Sequence, residues 1–266
     1  MLDQAQTMAE ADAPPLLQVS GLEVSFGGVQ ALRGASLSVK RGQIVGLIGP
    51  NGAGKTTLFN CISGFIKPHA GSIDLNGNTL LKVPPHSIAA AGVCRTFQNR
   101  GLYPEQTVLN NVKLGAYGRL GGGFFAALLR PLGERERERQ ANTLAMASLE
   151  ALGLAPMAHQ TVAGLPFGAL KRVEIARALM AHPRLLMLDE PGGGLNASEL
   201  DELAALLKQL VAERGITLLV VEHRMRLVMA LCDAVTVLHL GTTLASGTVA
   251  EVLADARVKQ AYFGKS

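Results

Sequence analysis

Residues Gly49-Pro50-Asn51-Gly52-Ala53-Gly54-Lys55-Thr56 form the stretch that most constrains this chain. Gly49, Gly52 and Gly54 permit a tight curl that residues with side chains resist. A short apolar run, Gln43 to Ile48, precedes the stretch and suits a buried strand. The segment from about Lys55 to Phe65 follows and predicts a helix. Strand, glycine-rich loop and helix in that order match the phosphate-loop pattern in full. The glycines turn successive backbone N–H groups, Asn51's among them, toward phosphate oxygens. The helix N-terminus, Thr57 included, adds the positive end of its dipole. Lys55 places a point charge at the β- and γ-phosphates, and the Thr56 hydroxyl suits Mg²⁺. A chance glycine-rich turn is the competing reading. The Lys-Thr pair and both flanks argue against it.

The rest of the chain places this loop in an α/β frame. Leu16 to Phe26 alternates apolar and polar residues as a half-buried strand does. Gly27-Gly28 makes a turn, and Leu32 to Val39 reads as a second strand. Gly71 to Leu81 reads as a further strand and turn. Residues 112 to 163 are helical in pattern, with Leu144, Met146, Leu149 and Leu152 at helical spacing. The run Glu134 to Arg139 sets opposite charges three residues apart and reads as a solvated helix face. Glu174 to Ala181 and Glu199 to Arg214 predict helices. Leu185 to Leu188 and Thr217 to Val221 predict buried strands. A hairpin over Ala234 to Leu240 and Thr242 to Gly247, then a short helix, ends the chain. Strands alternating with helices indicate an α/β core.

Two of those strands end in polar residues. Leu185-Leu186-Met187-Leu188 runs into Asp189 and Glu190. Mg²⁺ takes oxygen ligands, often through water, and Asp189 suits that shell. Glu190, next along, can orient or deprotonate an attacking water. A strand that merely stops at a polar loop is common, but the phosphate loop favours the functional reading. His223 follows Leu218 to Glu222 at a comparable strand end, placed to hydrogen-bond a γ-phosphate. Taken alone, such a histidine is more often structural.

Composition excludes several other classes. Cys61, Cys94 and Cys232 are odd in number and scattered, which argues against a disulfide framework or zinc site. The net charge of +4 is mild and reads as an ordinary solvated surface; it does not single out nucleic acid. Residues 1–15 are Ala-rich and acidic, read as a disordered leader without the features of a secretion signal. No window reaches the roughly 18 uninterrupted apolar residues of a spanning helix. A transport role therefore requires separate membrane partners.

With these motifs in place, residues 16–266 resemble the ATP-binding domains of ABC transporters. Phe26 matches the aromatic that stacks on adenine in that family. Arg95-Thr96-Phe97-Gln98 matches the loop whose glutamine touches Mg²⁺ and faces the permease. His223 matches the switch histidine. The signature falls on Leu165-Pro166-Phe167-Gly168-Ala169, continued by Arg172 to Leu179, and the D-loop on Gly193-Gly194-Leu195-Asn196. The resemblance implies an antiparallel β subdomain and an α-helical subdomain, the latter inserted at about 99–180. It implies ATP and Mg²⁺ held between two head-to-tail subunits, identical or homologous. It also implies Gln98 as a catalytic residue beside Glu190 and His223. Three positions depart from the family pattern: Pro166 stands for serine, Ala169 for glutamine and Asn196 for aspartate. The loss of a hydroxyl at Pro166 removes one γ-phosphate donor, while the Gly168 N–H and the helix dipole still face that phosphate.

A narrower resemblance rests on Gly92 to Gln98, the helical insertion and the ending Ala245-Ser246-Gly247-Thr248 to Ala261-Tyr262-Phe263-Gly264. It points to ATPase subunits of branched-chain amino acid importers and their relatives for amides and urea. It implies permease subunits docked near Gln98 and Leu102-Tyr103, a solute-binding protein acting indirectly, no nucleic acid, and a peripheral place on the cytoplasmic face of a bacterial inner membrane. The alternatives are the ATPase of an exporter of lipid or polysaccharide, and a non-hydrolysing nucleotide-gated module. A soluble ATPase acting on ribosomes or DNA usually carries two cassettes or a long coiled-coil insertion, and this sequence shows neither.

Overall fold

The structure, a computed structural model, describes residues 14–96, 101–116 and 131–263. Side chains of residues 131–135 and 263 also fall outside the description. The expected leader up to residue 13 and Gln98 therefore lie outside the described residues.

Two sheets form the frame. The first is antiparallel and contains β1 (Leu17–Phe26), β2 (Val29–Val39), β4 (Ala70–Leu75) and β5 (Asn78–Thr79), in the order β2-β1-β4-β5. The alternation of β1 breaks at Ser20-Gly21, where a bulge keeps Val19 and Leu22 both buried. The second sheet contains β3 (Ile44–Ile48), β6 (Val93–Arg95), β7 (Leu185–Asp189), β8 (Thr217–Val221), β9 (Ala234–His239) and β10 (Thr242–Thr248). Its order is β10-β9-β3-β8-β7-β6, parallel throughout except at β10.

Strands β3, β7 and β8 are buried at every position because both faces of the sheet are covered. Leu185, Met187, Leu219 and Val221 join a core shared with the antiparallel sheet and with helix α1 (Lys55–Ile62). The alternate residues Leu186, Leu188, Leu218 and Val220 join a second core. That core is filled by helices α2 (Val108–Lys113), α3 (Pro131–Glu150), α4 (Phe167–Leu179), α5 (Ala197–Arg214) and α6 (Met225–Leu231). Helices α7 (Val249–Ala254) and α8 (Ala256–Phe263) close the chain.

Several boundaries differ from the sequence expectation. Helix α1 ends at Ile62, three residues early. The Phe65 N–H donates to Asn60 O at 2.9 Å and the Gly64 N–H to Cys61 O at 3.1 Å, the paired bonds of a Schellman stop. Helix α4 starts at Phe167, seven residues earlier than Glu174, because Pro166 takes an extended N-cap conformation and the next residues are free to wind. Pro166 thus sits just outside the helix, at its N-cap. The single terminal helix is two helices, parted at Asp255, which has extended dihedrals. The three cysteines are free, and burial pushes the thiols of Cys61, Cys94 and Cys232 up to about 12, 11 and 12.

Asn196 caps α5 through a reciprocal pair of bonds. Its Oδ1 accepts from the Glu199 N–H at 3.0 Å, and Glu199 Oε2 accepts from the Asn196 N–H at 2.8 Å. Asparagine and aspartate cap helices about equally well, so this departure from the family pattern is silent for folding. Asn196→Ala is expected to destabilise the protein by about 1 kcal/mol, and Asn196→Asp by no more than a few tenths. Urea denaturation midpoints for the three proteins check this.

Candidate functional site

The parallel register brings four strand ends to one edge of the sheet. Leu47 of β3 and Asp189 of β7 both pair with Val221 of β8, and Arg95 of β6 pairs with Met187. Beyond those ends lie Gly49, Glu190, Glu222-His223 and Thr96. Ligand sites of open α/β sheets form at such carboxyl ends.

The phosphate-loop residues are tightly seated. Gly49 has φ 151, and a Cβ there would stand 2.2 Å from Leu238 O. Gly54 caps α1 with φ 102, and a Cβ there would stand 2.6 Å from Ala31 O. The loop is thus clamped between β2 and the β9–β10 turn, whose Gly241 N–H donates to Ala53 O at 3.0 Å. Lys55 Nζ donates to Gly49 O at 2.7 Å and Pro50 O at 2.9 Å. Burial draws the Lys55 ammonium below the usual lysine range, and the charges of Glu190 and Asp189 offset part of that fall. Asn51, Gly52 and Thr56 are exposed, and Thr57 is half-buried. Anions are therefore met by an open loop with a cation anchored to its first two carbonyls.

Asp189 is buried, and its Oδ2 accepts from Arg95 Nη2 at 2.6 Å. The Asp189 N–H donates to Thr96 Oγ1 at 3.3 Å. Glu190 has φ 49, a left-handed backbone that a residue with a Cβ adopts only when its surroundings hold it there. The hold comes from its N–H to Val221 O at 2.9 Å and from the Gly193 N–H to Glu190 O at 3.1 Å. His223 Nδ1 lies 3.7 Å from Glu190 Oε1 and 3.6 Å from Glu222 Oε1, with its side chain half in solvent.

Glu222 was not singled out by the sequence reading. It is almost fully buried, and its carboxylate accepts three backbone N–H groups: His223 and Arg224 on Oε1 and Gly192 on Oε2, each at 2.9 Å. This one side chain ties the loop after Glu190 to the loop carrying His223. Its only sequence signal is a charge directly after a wholly apolar strand. The Arg95 contact to Asp189 was also missed, since it depends on β6 lying beside β7.

The remaining expected residues stand around this cluster. Phe26 is half exposed at the β1–β2 hairpin, paired with Val29. Pro166 is the N-cap of α4, and the next two residues face the D-loop segment: a Cβ on Gly168 would lie 3.3 Å from Glu199 Oε1, and one on Gly194 would lie 2.8 Å from the Phe167 ring.

A family model described as ABC transporter matches residues 32–193, a span that holds the phosphate loop and the Asp189-Glu190 carboxylates; His223 lies beyond it. The chain belongs to the ABC transporter family. As an ABC cassette it binds and hydrolyses ATP. It is 43% identical over 252 residues to the high-affinity branched-chain amino acid transport ATP-binding protein BraF of Pseudomonas aeruginosa, covering 95% of this chain and 99% of that protein. It is 41% identical over 252 residues to the corresponding protein LivG of Escherichia coli K12, with the same coverage. Among solved structures, the ADP conformation of the ABC transporter cassette MJ1267 superposes with a TM-score of 0.82 at 32% identity, covering 95% of this chain and all of that one. The dimeric cassette MJ0796 superposes with a TM-score of 0.72 at 25% identity, covering 88% and 98%.

Removing the Glu222 carboxylate leaves three N–H groups without their acceptor in a buried site. Glu222→Ala is expected to destabilise the cassette by about 3 kcal/mol. Glu222→Gln, which keeps one acceptor oxygen, is expected to lose less. Denaturant unfolding of both variants against wild type gives the comparison.

Proposed function

We propose that this chain is the ATP-hydrolysing subunit of a bacterial branched-chain amino acid importer, paired head-to-tail with a second cassette beneath permease subunits. The observation that carries the reading is the meeting of the Lys55 loop with Asp189, Glu190 and His223 at adjoining strand ends. The names of BraF and LivG support the solute class. The dimeric form of MJ0796 supports the pairing.

In this reading the backbone of Gly49 to Gly54 and the α1 N-terminus bind the phosphates. Lys55 leaves its carbonyl partners for the β- and γ-phosphate oxygens. Phe26 offers its exposed ring to adenine. Glu190 orients the attacking water and takes its proton. His223 holds the γ-phosphate, and Glu222 fixes the His223 loop relative to Glu190. Pro166 caps, and Gly168 lies in the first turn of, the helix whose free N–H groups face the nucleotide of the partner cassette.

A hard cation suits the donor set. Among the described residues no three His, Cys, Asp or Glu cluster to hold a metal. The ion must therefore draw most of its ligands from phosphate and water, with the Thr56 hydroxyl and the Asp189 carboxylate as the oxygens this chain adds. Gln98 is assigned to the same shell by resemblance. When bound, Mg²⁺ neutralises charge on the transferring phosphoryl group.

A cavity of about 560 Å³ opens beside the site, lined by Phe65, Arg95, Tyr103, Glu174 and Arg177 among others. Phe65 and Tyr103 are more than half exposed. This is the proposed seat of the permease. Among the described residues no helix is long and apolar enough to cross a membrane.

Purified protein is expected to hydrolyse ATP with Mg²⁺. Glu190→Gln is expected to bind ATP normally, accumulate as an ATP-bound dimer and lose at least about 100-fold in kcat. Lys55→Ala is expected to lose ATP binding itself. An active Glu190→Gln protein overturns the assignment of the base. A wild type that binds ATP yet stays silent even with its permease favours the gating module, with Pro166 as the first position to restore to serine.

A further inference from the structure

We propose that Arg95 is a placeholder cation for the metal site: its guanidinium holds the Asp189 carboxylate until a divalent ion takes over that charge. The proposal rests on the assignment of Asp189 to the metal and adds a residue that opposes metal entry.

The geometry is specific. Arg95 and Asp189 have side chains only 8% and 3% exposed, with Nη2 2.6 Å from Oδ2. A carboxylate this buried needs a charge partner, and an unpaired one is costly. Arg95 supplies that partner from the neighbouring strand. Its other arm reaches helix α1: Nη1 donates to Asn60 Oδ1 at 2.7 Å, and the guanidinium carbon lies 5.3 Å from the centre of the Phe59 ring. One planar fork therefore joins the phosphate-loop helix to the end of β7, which a lysine cannot do.

The same side chain lines the cavity of about 560 Å³. Arg95 thus has room on one side and the metal-binding carboxylate on the other. Nη1 can keep its bond to Asn60 while Nη2 lets go of Asp189. A divalent ion near Asp189 and a guanidinium on it repel each other, and the repulsion is strong where water is scarce. The arginine holds the Asp189 carboxylate in place before the metal arrives, and it lowers the affinity of the metal it prepares for.

The test titrates Mn²⁺, an electron-paramagnetic probe, into ADP-saturated full-length protein and reads free Mn²⁺ by its resonance signal. Arg95→Gln keeps hydrogen-bonding groups without charge and is expected to tighten Mn²⁺ by about fivefold or more. Arg95→Lys keeps the charge but cannot span Asn60 and Asp189 together, and is expected to fall between Gln and wild type. If Arg95→Gln proves too unstable to purify, Arg95→Lys decides: tightening of about twofold or more supports the proposal, and wild-type affinity overturns it. Mn²⁺ binding that is unchanged or weaker in Arg95→Gln also overturns it, leaving the arginine a structural brace. Asp189→Asn separates the two layers. Weakened Mn²⁺ binding in that variant upholds the metal assignment whatever Arg95 does. Unchanged binding removes Asp189 from the metal site, and the placeholder falls with it.

Discussion

The in-register parallel pairing of β3, β8 and β7 is the constraint on which the site depends. Strands β7 and β8 each contribute a polar end and β3 leads into the phosphate loop, and none of the three has chemistry alone. Hydrogen-bonded neighbours in a sheet lie about 4.8 Å apart. A residue following one strand therefore reaches a residue following the next, provided the strands stop level. Pairing of Asp189 with Val221 and of Leu47 with Val221 makes them stop level. A slip of one residue would send each apolar side chain to the opposite core and carry Asp189 out of reach of Lys55. The complete burial of all three strands makes that slip prohibitive.

Around this edge, charge is managed by pairing instead of by exposure. Asp189 is matched by Arg95, Glu222 by three N–H dipoles, and Lys55 by two carbonyls and two nearby carboxylates. Glu190 and His223, the groups assigned to water and γ-phosphate, keep substantial solvent contact. The backbone strain at Glu190 falls at the same place. Buried polar groups with full partners make rigid walls, and the two open side chains stand between those walls.

Much of this was legible in the sequence because the signals were local. The phosphate loop announces itself by glycine spacing and by its Lys-Thr pair. The three buried strands announce themselves as unbroken apolar runs that only a doubly covered sheet can use. Less legible were features that depend on which strand lies beside which. Arg95 meets Asp189 across 94 positions of sequence, through the crossover that sets β6 next to β7. Glu222 looks like a polar strand end until Gly192 is seen folded against it. The early start of α4 was hidden because Pro166 and Gly168 interrupt the helical pattern where the helix in fact begins. The early stop of α1 was hidden because Ser63-Gly64 carries the signal in two residues inside an otherwise apolar stretch.

That early stop has a consequence for how the site fails. Helix α1 has only eight residues, far fewer than an isolated helix needs in water. It survives because Leu58, Phe59 and Ile62 are sealed into the core beneath the antiparallel sheet. Backbone hydrogen exchange at the start of α1 should therefore follow the exchange of β3 and β8, through one shared opening of the molecule. A phosphate loop anchored in this way is expected to lose its nucleotide grip together with the fold, in a single event.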